Sequence, residues 1–131
     1  MITNNVPTRF IEIARKMALM SNSPDYRHGA ILVKGGSILS TSSNKNRHIR
    51  WGTRFRKRDC GHATQHAELG CILGIDRSVT SGSVIYVVRV NKKGVLRMSK
   101  PCEMCQSVLS HVGIKKVVYS ADDGQFGSIR L

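Results

Sequence analysis

The stretch "SVIYVVRVNKKGVLRMSKPCEMCQSVLSHVGIKKVVYS", residues 83–120, carries two strand-like runs and the helix between them. Residues 83–90 are dominated by β-branched and aromatic side chains and lack the polar alternation of a half-exposed strand. They read as a strand buried on both faces. "NKKG" turns the chain and "VLRMSK" leads on to Pro101. Pro101 suits the opening of a helix and Gly113 its close, which predicts a helix over "PCEMCQSVLSHVG". "IKKVVYS" is the second β run.

Upstream, Pro7 suits a first helical position, and Phe10, Ile13, Ala14, Met17 and Met20 recur at helical spacing. This predicts an amphipathic helix over 8–20 with those residues facing the core. Two short β runs, 29–34 and 37–42, flank Gly35-Gly36, a pair that tolerates positive φ, so they form a hairpin. A basic loop and a helix of about residues 64–73 follow, ending near Gly74. The order is helix, hairpin, helix, strand, helix, strand. It predicts an α/β fold of three layers, with a mixed four- to five-stranded sheet and helices on both faces. After Ser120 only eleven residues remain, and a parallel crossover takes about a dozen or more. A last strand, such as "SIRL" at 128–131, should therefore be antiparallel or absent. A chain of 131 residues suits one domain over 1–131 with one modest core.

Twenty-one Lys and Arg against eight Asp and Glu give a net charge of +13. No acidic residue lies between Asp25 and Asp59, and the gap holds "KNRHIRWGTRFRKR", residues 45–58. Such density attracts phosphate. A solvated loop and a nucleotide or polynucleotide partner both stay open. The first residues, "MITNNVPTRF", lack the pattern of a secretory signal, and no apolar stretch approaches the ~18 residues of a membrane span. The expectation is a soluble, cytoplasmic protein with no membrane partner, in the host cytoplasm if the source is viral. In a reducing compartment Cys60, Cys71, Cys102 and Cys105 read as thiols or metal ligands, not disulfides.

Cys102 and Cys105 are three apart directly behind Pro101, so they share one face of a helix's first turn. Unpaired N–H groups and the positive end of the helix dipole stabilise thiolates there. His66 and Glu68, in "GHATQHAELGCI" (61–72), sit at the start of the preceding helix. From a first turn, two side chains can both reach an atom beyond the helix end. Two helices meeting by their N-termini would collect one imidazole and two thiolates around an ion, with a carboxylate beside it. N and S ligands select Zn²⁺, and three protein ligands leave a fourth position for water, as in catalytic zinc sites.

"HAE" at 66–68 with "PCEMC" at 101–105 resembles the signature of the zinc-dependent cytidine and deoxycytidylate deaminase superfamily, H-x-E with P-C-x-x-C. The hairpin, Asn44 after its second strand, and "GIKKVVYS" are similar to the same proteins, deoxycytidylate deaminases most of all. The resemblance spans about residues 8–120. It implies a cytidine-deaminase-like fold, zinc on His66, Cys102 and Cys105, and Glu68 as proton shuttle. Glu68 would take a proton from zinc-activated water and pass it to N3 of a cytosine; hydroxide adds at C4, and ammonia leaves. Asn44 would hydrogen-bond the sugar or base. Ala67, Lys45, Arg47, His48, Ser99, Lys100 and Pro101 complete the expected substrate-binding set.

Three departures bear on the substrate. Leu69 and Gly70 follow "HAE" where deoxycytidylate deaminases usually have a residue and then Asn. "NKNRH" replaces their N-G-x-P, and the cysteine motif is reached through "VNKKGVLRMSK" instead of a very short link. Transfer-RNA adenosine deaminases share H-A-E as well. The leading reading is an enzyme acting on a free cytosine nucleotide, with the basic segment 45–58 holding phosphates. A polynucleotide deaminase acting on cytosine or adenine in single-stranded nucleic acid is the alternative; Trp51 and Phe55 would offer it stacking surfaces, though aromatic residues are scarce. A third reading is a binding module with structural zinc, which Cys60 would close as a Cys₃His site. His62 reads as a surface histidine and Cys71 as a buried small hydrophobe. Relatives commonly assemble, and a core this small implies a homo-oligomer, a dimer or larger.

Overall fold

The computed structural model describes residues 2–3, 7–21, 27–48, 64–65 and 67–131, with the backbone alone for 2–3, 45–48, 64–65 and 123. Strand β6 (Val84–Val90) is the axis of the fold. Alternate residues of β6 enter opposite cores, Ile85 and Val87 on one face and Tyr86, Val88 and Val90 on the other. This is the burial on both faces that its unbroken apolar run predicts.

On one side β6 pairs antiparallel with β2 (Arg27–Lys34), which pairs antiparallel with β3 (Ser37–Ser43). Gly35 and Gly36 make the expected turn, with a bulge at Leu32/Val33. On the other side β6 pairs parallel with β8 (Lys116–Ser120), reached through helix α4 (Glu103–His111). A 3₁₀ turn over Asp122–Gly124 then sends β9 (Phe126–Arg130) back antiparallel along β8. The short tail thus forms the antiparallel last strand. Two two-residue strands extend this five-stranded body: β1 (Ile2–Thr3) on β9, and β7 (Leu96–Arg97) on the end of β6.

Helices cover both faces. Helix α1 (Thr8–Leu19) packs on one core with Phe10, Ile11, Ala14 and Ala18. Its buried stripe differs from the predicted one: Ile13 and Met17 are half-buried and Met20 is 70% exposed. Pro7 is the extended N-cap, one residue outside the helix, and the core-facing stripe runs 10, 11, 14, 18. The helix lies tight on β2 at Gly29, where a Cβ would strike the Ala14 carbonyl and the Ala18 amide. On the opposite face α2 (Ala67–Ile72) and α4 share a core with β2, β6 and β8 through Leu69, Ile72, Met104, Val108, Leu109 and Val117.

Three local expectations change. The segment read as a loop begins with a strand, β4 (Lys45–His48), which pairs with β5 (Thr64–Gln65) outside the main sheet. The helix expected over 64–73 is correspondingly shorter. A further short helix, α3 (Arg77–Thr80), is capped by the Asp76 side chain, which accepts from the Ser78 amide at 2.8 Å. Among the described residues no helix is long and apolar enough to cross a membrane.

Candidate active site

The first turns of α2 and α4 meet on one face of the sheet. Cys102 is the N-cap of α4, extended at φ −69°, ψ 166°, and its thiol makes no capping bond. Pro101 stands outside the helix and is buried, and its ring biases the preceding residue, Lys100, toward extended backbone. The turn is fastened from within: the Gln106 amide donates to the Cys102 carbonyl at 3.0 Å, and Gln106 Nε2 donates to the Pro101 carbonyl at 2.8 Å. Cys105 follows in the first turn and is fully buried.

Glu68 lies in the first turn of α2 and is only 4% exposed. The neighbouring Cys102 thiol, burial and the Glu68 carboxylate together hold the Cys105 thiol well above the usual thiol range. A second thiol and a carboxylate converging on Cys105 in a buried space disfavour its ionised form. A divalent cation there would invert this, because a coordinating thiol is deprotonated outright. Sulfur donors with an imidazole would suit Zn²⁺. Among the described residues no three His, Cys, Asp or Glu side chains form a metal site by themselves. His66, the expected imidazole, lies outside the described residues.

The other expected residues distribute unevenly. Ala67 opens α2 and is fully buried, directly beside Glu68. Lys45, Arg47 and His48 belong to β4, whose partner β5 ends at Gln65, so the ladder brings this basic strand beside the entry to α2. Their side chains lie outside the described set, as do Cys60, His62, Trp51 and Phe55. Asn44 sits half-buried at the end of β3. Its Oδ1 accepts from the His28 amide at 2.9 Å and from Ser21 Oγ at 2.5 Å, joining the end of α1, the start of β2 and the end of β3.

Ser99 is buried, and its hydroxyl is used internally. It lies 2.9 Å from the Val87 carbonyl and 2.8 Å from Ser120 Oγ, and accepts from the Ser120 amide at 2.8 Å. Ser120 Oγ also bonds the Arg97 carbonyl at 2.7 Å. These bonds tie the link between β6 and α4 to β6 and β8, and so place Lys100, Pro101 and Cys102. Lys100 is exposed, at the outer edge of this turn. Cys71 is fully buried, as expected, and burial pushes its thiol up to about 12.

Residues 5–121 match the family described as the cytidine and deoxycytidylate deaminase zinc-binding region. The chain belongs to this deaminase family. Zn²⁺ is the family's metal, and the protein is a deaminase-type enzyme. A tRNA-specific adenosine deaminase from Agrobacterium fabrum is 28% identical over 129 residues, 93% of this chain and 70% of that protein. The dCMP deaminase of cyanophage S-TIM5, in its apo form, superposes with a TM-score of 0.61 at 26% identity, covering 89% of this chain and 84% of the phage protein. A cytidine deaminase from Mycobacterium tuberculosis shares the fold, with a TM-score of 0.55 at 20% identity over 92% and 90% of the two chains.

Two groups that shape the candidate site carry different signals in the sequence. Gln106 carries a usable signal, since a glutamine one turn after Cys102 can reach back to the residue before it. Ser21 carries none, because its partner Asn44 is remote in sequence and is met only through the folded sheet.

Proposed function

We propose that this protein hydrolytically deaminates the cytosine base of a free nucleotide or nucleoside, dCMP- or CMP-like, to uracil and ammonia. The observation that carries this reading is the convergence of Glu68 with Cys102 and Cys105 at the facing first turns of α2 and α4. His66, Cys102 and Cys105 would hold the metal. Zinc, when bound, supplies the Lewis acidity that makes water a nucleophile near neutral pH. Glu68 takes up the proton released, delivers it to N3 of the base so that C4 becomes electrophilic, and assists protonation of the departing ammonia. Its burial keeps bulk water from competing for that proton. Ala67, Pro101 and Lys100 would border the base, and Asn44 with Lys45, Arg47 and His48 would meet the sugar and phosphate. The likeness to the S-TIM5 dCMP deaminase supports the mononucleotide.

A second reading, deamination of a base within a polynucleotide, is favoured by the likeness to a tRNA-specific adenosine deaminase along nearly the whole chain. Ammonia release by the zinc-loaded protein from cytidine, CMP, dCMP, dCTP, adenosine nucleotides, single-stranded DNA and transfer RNA separates the two. Turnover of one cytosine mononucleotide, abolished in Glu68→Ala with zinc content unchanged, is the expected result. Turnover confined to a polymer would transfer the assignment to the second reading, and silence on all of them would overturn both. We also propose assembly into at least a dimer, which sedimentation at micromolar concentration tests; a monomer there would refute it.

A further inference from the structure

The link between β6 and α4 is a built hairpin that ends at the cysteine turn. Asn91 organises it: its amide donates to the Val95 carbonyl at 3.1 Å, and its Oδ1 accepts from the Lys93 and Val95 amides at 2.9 and 3.0 Å. Gly94 takes φ 78°, a conformation open to glycine, and Arg15 of α1 grips its carbonyl through Nη2 at 2.9 Å. Farther along, Arg97 pairs with Asp122 at 3.1 Å, and the Ser99–Ser120 bonds close the segment. A surface tied at so many points presents its side chains in fixed places.

Those side chains are cationic and apolar. Lys92, Lys93, Arg97 and Lys100 are all exposed, as are Val95 and Met98. Among the described residues the ammonium groups of Lys93 and Lys100 form no ion pair. A cleft of about 760 Å³ opens beside the hairpin, with Glu12, Arg15, Lys93, Val95, Arg97 and Asp122 among its walls. From Arg97 to Cys102 the chain spans five residues, at most about 17 Å when fully extended.

We propose that this hairpin is a phosphate-binding ledge for the single strand flanking a target base, so that the protein binds polynucleotide through a surface outside its base pocket. Cations spaced along an ordered ledge match repeating phosphates. Val95 and Met98 supply apolar contact for unstacked bases, and the mixed donors and acceptors of the cleft suit a base edge. The ledge rests on the deaminase reading for the position of the target base and bears on the second of its two substrates.

The test is fluorescence anisotropy of the zinc-loaded protein with a labelled oligothymidylate, which contains no base to deaminate, across a salt series. Lys93→Ala and Lys93→Ala/Arg97→Ala are compared with Lys115→Ala/Arg130→Ala, which removes two exposed cations at the opposite end of β8. Each lost phosphate contact should flatten the salt slope by about 0.7 and weaken binding about fivefold at 0.1 M salt. The expected result is that loss for the ledge variants and not for the control pair. Equal losses in both pairs, or none in either, would overturn the ledge. A parallel titration with dCMP separates the two sources of phosphate: unchanged dCMP binding in the ledge variants supports a strand, whereas a loss confined to dCMP would overturn it. Because binding is read without turnover, a failed ledge leaves the deaminase assignment standing. Glu68→Ala, expected to bind oligothymidylate normally, shows the converse.

Discussion

The two faces of the sheet are built to different ends. Under α1 an apolar cluster forms the core, with Phe10 against Tyr86 at 5.2 Å between ring centroids and the helix backbone pressed onto Gly29. Under α2 and α4, the same strands share their other core with Cys71, Cys105 and the partly buried Cys102, and Glu68 lies buried beside them. One face is given to cohesion. The other accepts groups whose burial costs free energy without partners, and it is there that two helices point their first turns at each other.

If that division is right, Glu68→Gln should separate activity from stability. Turnover is expected to fall by about 10³-fold or more, the loss of a proton shuttle, while the melting temperature holds or rises because a buried carboxylate becomes a neutral amide. A melting temperature that drops with activity would make Glu68 a structural acid and erase the contrast. On the cohesive face Gly29→Ala should do the reverse. Its Cβ would meet helix backbone, which cannot rotate away, so a loss of about 3 kcal/mol in urea unfolding is expected, at the upper end for overpacking, with turnover per folded molecule little changed.

Much of this was legible before any coordinates. The strand 84–90, the hairpin and the antiparallel return of the tail follow from apolar runs, a Gly-Gly turn and a count of residues, all local or arithmetical signals. The thiols and Glu68 were legible because their chemistry is uncommon and their spacing sets a helix face. What escaped was long-range. The buried stripe of α1 runs through Ile11 and Ala18 instead of Met17 and Met20, because the close approach at Gly29 rotates the helix to put small residues against the sheet. The ladder of β4 with β5 joins segments that sequence patterns do not relate. Ser99, expected among the substrate-binding residues, has its hydroxyl bonded to β6 and β8, partners that no local pattern gives.

Ser99→Ala sharpens that last point on a smaller scale. It leaves the Ser120 amide without its buried acceptor, so about 1–3 kcal/mol of stability should be lost. Turnover should fall only as far as the cysteine turn loosens, and rescue by Thr would show the hydroxyl's role. The smallest effect concerns Cys71. Burial pushes this thiol up to about 12, so it stays protonated near neutral pH, and the thiolate is the reactive form. In chelator-treated protein still folded by circular dichroism, Cys71 should be alkylated after the partly buried Cys102. Early labelling of Cys71, mapped by mass spectrometry, would show that the α2 face opens without its metal.

The clamp at Asn44 carries a consequence for how the fold tolerates change. The His28 amide can only donate, so the amide oxygen of Asn44 must face it, and Ser21 fills the oxygen's second acceptor direction. One side-chain oxygen is thus the shared acceptor of three elements, and a residue here without that oxygen would leave both donors to find other partners.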